Sequence, residues 1–216
     1  MPSLEREMLK GAFAAGAMFL GVAMSSTAAA ACPPGLPPGI FCGSKDISQA
    51  PAGTYRLDPN HAAVIARVSH LGYSYSIFRF DKVAAALVWN PVTPSLSSLS
   101  ASVETGSVAT NVAGFAKDIA GDGFLKSAAF PKATFVSTAF RSTDATHGEV
   151  DGQFTLMGKT RPVTFGVELI GAGKGFGHPR LGVEAHGKID PREYGLPAVL
   201  NAPIELIIDA EFEKQG

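Results

Sequence analysis

The chain has 216 residues, 46% of them hydrophobic and 17% charged, which supplies a folded core and excludes a disordered or highly charged linker. Its 18 Lys and Arg nearly balance 19 Asp and Glu; the resulting net charge of -1 argues against nucleic acid as a partner, because phosphate contacts need excess cations. The 24 Gly, 15 Pro and 14 Phe favour short strands and frequent turns, while two Cys are too few for a disulfide scaffold or a four-cysteine zinc site.

Arg6 and Lys10 precede an apolar run over residues 11–24, followed by Ser25, Ser26, Thr27 and the alanines at 28–31. The run falls short of the ~20 residues of a membrane-spanning helix. With its basic start and A-x-A context it describes a secretory signal peptide over residues 1–31, so the chain is expected in the periplasm. Glu5 and Glu7 are unusual in such a leader and make Met8 a second candidate start. Residues 32–52 contain Pro33, Pro34, Pro37, Pro38 and Pro51 and read as an extended tether with little packing of its own. In an oxidising compartment Cys32 and Cys42 are a candidate disulfide, whose loop of roughly ten residues contributes about 2.5–3 kcal/mol in the chain-entropy model. Lipidation of Cys32 ranks behind pairing, since Ala29 stands where lipoprotein signals prefer Leu.

The remainder, residues 53–216, reads as one all-β domain. Strands are expected around 62–70, 74–81 and 83–90, then where Leu99, Ala101 and Val103 alternate with Ser100, Ser102 and Glu104. Val112, Phe115, Ala116 and Ile119 break the rhythm with helical spacing, with Asn111 as the expected N-cap and Gly121 as the stop. Alternation resumes around 133–140, at Val150, Phe154 and Leu156, and at Val163, Phe165, Val167 and Leu169. The last strands carry Val183, Ala185 and Ile189, then Ile204, Leu206, Ile208, Ala210 and Phe212, each opposite polar neighbours. One apolar and one wet face per strand is the antiparallel pattern, and eight or nine such strands make a sandwich or a closed barrel.

Motifs for catalysis fail on inspection. Gly158-Lys159-Thr160 lacks the earlier glycine of a phosphate-binding loop and reads as a hairpin turn, and the Gly171, Gly173, Gly175, Gly177 series reads as a long flexible loop. The histidines 61, 70, 147, 178 and 186 show no metal-ligand spacing, so no metal or other cofactor is expected; His147 and His178 read as turn residues and His186 as a polar strand position. No G-x-S-x-G elbow occurs, and the residues by themselves demand no enzymatic activity.

Several segments together resemble the YceI-like family of exported lipid-binding proteins. The residues 55–61 (Tyr-Arg-Leu-Asp-Pro-Asn-His) are similar to its first-strand signature, continued by Val64, Val68, His70, Leu71 and Gly72. Phe130-Pro131-Lys132-Ala133-Thr134-Phe135 resembles its central motif, and residues 152–163 resemble its G-x-L-T-x-x-G-x-T-x-P-V hairpin. Ile189-Asp190 with Glu193-Tyr194-Gly195-Leu196 is similar to its late segment, although Pro191 stands at the usual Arg. Ala66 replaces an aromatic residue on the Val64, Val68 face, a change that enlarges any pocket there.

The resemblance implies an eight-stranded antiparallel lipocalin-like barrel with a short helix near the mouth. It implies a periplasmic protein that holds a polyisoprenoid, a quinone-like amphiphile or another long-chain lipid for transport, storage or sequestration, with a homodimer as one candidate assembly. An enzyme modifying such a lipid, or a structural or stress-related envelope protein with a filled barrel, are the alternatives. On the inward face the candidate apolar lining is Val64, Val68, Phe135, Phe154 and Phe165, with Phe115 and Ile119 closing the end. His70 and Asp118 are the candidate polar contacts to a headgroup, with Lys117 a weaker one.

Overall fold

The computed structural model describes residues 32–216; the expected signal segment, 1–31, lies outside the described residues. The strands are β1 (Gly53–His70), β2 (Ser74–Phe80), β3 (Val83–Trp89), β4 (Ser98–Glu104) and β5 (Val108–Ala109), then β6 (Lys132–Ser142), β7 (His147–Leu156), β8 (Lys159–Gly173), β9 (Arg180–Ile189) and β10 (Ile204–Lys214). Two short helices, α1 (Phe115–Ala120) and α2 (Pro191–Tyr194), interrupt them. The neighbour order runs β10-β9-β8-β7-β6-β4-β3-β1, and β1 pairs back onto β10. Eight antiparallel strands therefore close into a barrel, and β2 with β5 forms a ribbon added to β1. Closure removes the free edges that an open sheet of this length would expose.

The long β1 serves two neighbours because it bends in its middle. Residues 53–56 pair with β3, whereas Val64 to His70 pair with β2. The register against β10 slips between Leu57 and Ala62, and the slipped residues are Asp58-Pro59-Asn60-His61. Pro59 has no N–H to give a ladder, and Asp58 folds the segment on itself by accepting from the Asn60 N–H at 3.0 Å. Arg180, at the start of β9, secures this bulge by donating to Asp58 (3.0 Å), Glu211 (2.6 Å) and Glu213 (3.0 Å).

Besides β1, which begins at Gly53 and not around residue 62, and the unexpected two-residue β5, three segments differ from the sequence expectation. The helix expected from Asn111 begins at Phe115, after Gly114 with φ 80°; Asn111 caps nothing, and only the stop at Gly121 falls where the pattern placed it. The helix α2 is an addition: Asp190 accepts from the Arg192 N–H at 2.9 Å, Pro191 occupies the first turn and Gly195 ends it with φ 79°. At four residues it is too short to leave a periodic trace.

The third difference joins two segments. Gly171 and Gly173 belong to strand β8, not to a flexible loop, because the N-terminal segment lies directly against them. Ser44 and Ala172 exchange backbone hydrogen bonds of 2.9 and 2.8 Å, and a Cβ on Gly171 would stand 3.2 Å from the Gly43 backbone. Ser44, Ile47 and Ala50 thus anchor residues 43–52 across one end of the barrel, while their neighbours and the stretch before them are largely exposed. Ala50 is fully buried, Tyr55 donates to the Pro51 carbonyl at 2.7 Å and the Trp89 indole donates to the Ala50 carbonyl at 3.2 Å. Burial pushes the Tyr55 phenol up to about 12. Cys32 and Cys42 form a disulfide with Cα atoms 5.5 Å apart.

The core divides into two packed layers. One, at the α1 and α2 end, includes Phe78, Ile119, Leu125, Leu156, Tyr194 and Leu206. The other, at the end covered by residues 43–52, includes Ala50, Tyr55, Leu57, Leu169, Leu181 and Phe212. Leu99, Phe140 and Ile208 touch both layers while remaining only half-buried.

Candidate functional site: a hollow between two packed layers

The half-buried residues mark an empty space. By register Val64, Ala85, Ala101, Val167 and Val183 belong to the inward face, yet each keeps accessible surface although the barrel surrounds it. They border a cavity of about 370 Å³ between the two core layers. That lies within the roughly 300–1,000 Å³ typical of small-molecule sites. Alanines at 66, 85, 101, 133, 185 and 210 line it, so the space exists because small side chains coincide across several strands.

Aromatic rings shape the wall, and two glycines make room for them. The Phe135 ring lies over Gly152, where a Cβ would come within 2.3 Å of Cζ; the Phe165 ring lies over Gly187, where a Cβ would come within 2.6 Å of Cε1. The two rings meet edge to face with centroids 5.1 Å apart. Phe154 packs edge to face on Tyr194 at 5.5 Å. Tyr194 is 1% exposed and its hydroxyl has no hydrogen-bond partner among the described residues; burial pushes the phenol up to about 12.

Polar side chains gather where the lining reaches the turn between β6 and β7, at Arg141, Asp144, His147 and Glu149. The Thr146 N–H, followed by the His147 side chain, holds the Asp144 carboxyl down at about 2. Nearby Lys45, paired with Glu168, lowers that carboxyl as well and ties the N-terminal segment to β8.

Of the residues named from sequence, Val64, Phe135, Phe154 and Phe165 stand on the cavity wall. Val68, Phe115 and Ile119 lie in the packed layer beyond it, with Phe115 against the Phe78 ring at 6.0 Å. His70 does not project into the cavity. It shares the parity of Val64 and Val68 but is the last residue of β1, beyond the final pair with β10 at Arg67, and is exposed. Asp118 and Lys117 are exposed on α1 and do not line the cavity. The sequence reading missed Ala85, Ala101, Trp89 and Ile208 as lining residues. Their alternation is visible, but inward alanines give no sign of whether they face a neighbour or a void.

Asp58, His61 and Glu211 bring ligand atoms within 4.8 Å of one another, a spacing compatible with a shared cation. The Arg180 guanidinium already bonds Asp58 and Glu211 and supplies the positive charge there.

A family model described as a YceI-like domain matches residues 55–212. A UPF0312 protein of Pseudomonas putida (strain W619) is 36% identical over 172 residues, covering 77% of this chain and 90% of that one. Among solved structures, BcnA of Burkholderia cenocepacia superposes with a TM-score of 0.63 at 20% identity, covering 74% of this chain and 99% of that one. A polyisoprenoid-binding domain from Saccharophagus degradans, implicated in plant cell wall breakdown, superposes with a TM-score of 0.56 at 16% identity, covering 74% and 98%. The chain belongs to the YceI-like family.

Proposed function

We propose that this YceI-like protein is an exported carrier that holds the apolar chain of an isoprenoid or quinone-like amphiphile inside its barrel. The observation that carries the reading is the cavity of about 370 Å³, walled by inward apolar side chains that no group among the described residues covers. Burying a methylene contributes about 0.8 kcal/mol, so one five-carbon isoprene unit contributes roughly 4 kcal/mol before ordering costs. Affinity then follows from buried area and needs few polar contacts, which matches a mainly apolar wall whose charged side chains, Asp209 apart, gather at the β6–β7 turn. The similarity to a polyisoprenoid-binding domain supports the same class of ligand, and the leader-like sequence of residues 1–31 supports a periplasmic location.

Native mass spectrometry with lipid extraction of the protein recovered from its own cells tests the reading. A co-purified prenyl amphiphile, or saturable uptake of an added one, is the expected result. Protein that is empty and takes up no prenyl lipid overturns it. His70, the side chain named for a lipid-modifying enzyme, is exposed and does not line the cavity.

A further inference from the structure

The ribbon of β1 and β2 extends beyond the barrel. Pairing of β1 with β10 ends at Arg67, whereas pairing with β2 continues to His70 and Ser74. On its other side β2 pairs with β5 only at Arg79 and Phe80. The projecting tip carries large apolar side chains in full view of solvent: Leu71 is 75% exposed, Tyr73 88%, Tyr75 53% and Ile77 44%. Its turn places Leu71 at φ 54° and Gly72 at φ 79°, closed by the Tyr73 N–H to the His70 carbonyl at 3.0 Å. Asn is the residue that suits the first of these positions, and a branched apolar side chain is disfavoured there. The tip therefore keeps a leucine against both solvation and backbone preference.

The same end of the barrel is basic. Lys117 on α1, Lys126 after it, Lys132 opening β6, and Lys159 and Arg161 opening β8 are exposed and in no ion pair among the described residues. The acids here without an ion pair, again among the described residues, are Asp118, Asp122 and Glu193, whereas Glu205, Asp81, Glu104 and Asp190 are each paired with a neighbouring cation. Arg67, paired with Glu205, stacks over the Tyr75 ring at 4.3 Å at the base of the tip. Asp144, Glu149 and Glu168 lie at the opposite end, paired with His147, Arg141 and Lys45 respectively. Tyrosines beside leucine and isoleucine, with lysines at the same end of the barrel, are the side chains that partition into the interface of an anionic bilayer.

We propose that the β1–β2 tip and the basic α1 end form a docking surface for an anionic phospholipid bilayer. Leu71, Tyr73 and Tyr75 enter the headgroup region, the lysines face the lipid phosphates, and the opposite end of the barrel points away. The surface lies outside the cavity, so the inference stands independently of what the barrel holds.

The test uses the full chain with vesicles of mixed phosphatidylethanolamine and phosphatidylglycerol, and with vesicles of phosphatidylcholine alone. Tyr73→Trp places a fluorescent reporter at the tip, far from Trp89 at the other end. Its emission is expected to shift to the blue and be quenched by brominated lipids only with the anionic vesicles, and to return on adding salt. Leu71→Asn is expected to weaken this binding about tenfold, and Lys117→Gln about fivefold. Leu71→Asn suits the turn and stays folded, and its uptake of a prenyl lipid is unchanged because residue 71 lies outside the cavity. Reporter emission that stays constant while the chain sediments with vesicles overturns the proposal. So does equal binding to neutral vesicles, or a self-association that Leu71→Asn abolishes with no vesicle binding by the parent chain.

Discussion

Ala85→Leu separates a carrier from a filled barrel. Ala85 pairs across the sheet with Ala101, and both line the cavity, so a leucine at 85 enters open space. Its three added carbons take the place of about three ligand carbons, which at about 0.8 kcal/mol each weakens binding by about 2.4 kcal/mol, or roughly fiftyfold. The same carbons gain burial themselves, so stability stays level or rises by up to about 2 kcal/mol. In a barrel already filled by its own side chains, overpacking would instead cost about 1–3 kcal/mol. Displacement of a fluorescent prenyl probe gives the first quantity and urea denaturation the second. A destabilised Ala85→Leu with unchanged uptake would refute the reasoning, since it would mean that residue 85 meets a packed neighbour and not the ligand.

Tyr194→Phe removes a buried hydroxyl that has no partner and is expected to stabilise the protein by about 1 kcal/mol in urea; a loss of that size would reveal a hydrogen bond to the hydroxyl. Gly152→Ala drives a Cβ into the Phe135 ring and toward the Val136 carbonyl, and is expected to cost about 1–3 kcal/mol, partly recovered with Phe135→Leu. Failure of that second change to recover stability would place the strain on the backbone. The hydrogen bond with His61, followed by that from Arg180, holds the Asp58 carboxyl well below its usual range, and Asp58, then Glu211, raises the His61 imidazole. A lowered carboxyl stabilises the fold above about pH 4 and loses that contribution as pH falls toward the folded value. A raised imidazole contributes below about pH 6.5 and loses its share as pH rises through its folded value. Asp58→Asn is therefore expected to flatten both limbs of a plot of urea midpoint against pH, and an unchanged profile would rule the pair out as their source.

Much of the barrel is legible locally because a strand's side chains alternate strictly. Ile204, Leu206, Ile208, Ala210 and Phe212 declare an inward face without knowledge of any partner strand, and the same holds for Val163, Phe165, Val167 and Leu169. The turn at Met157-Gly158, with φ 50° and 72°, is likewise readable from the glycine between two alternating runs. Positions near strand ends are not. His70 follows Val64 and Val68 in parity, yet whether it meets a cavity depends on where β10 stops, which is a property of another strand.

What the sequence determined by itself is most of the strands, their inward faces and the family to which the chain belongs. The tertiary structure decided the rest: β1 forks between two partners, residues 43–52 cover one end, and the barrel is hollow between its two core layers. The reason is physical. Alternation depends on one chain's pleat, whereas a void depends on the summed size of side chains that eight strands bring to the same height. Ala66, Ala85, Ala101 and Ala185 lie far apart in sequence and meet only when the sheet closes.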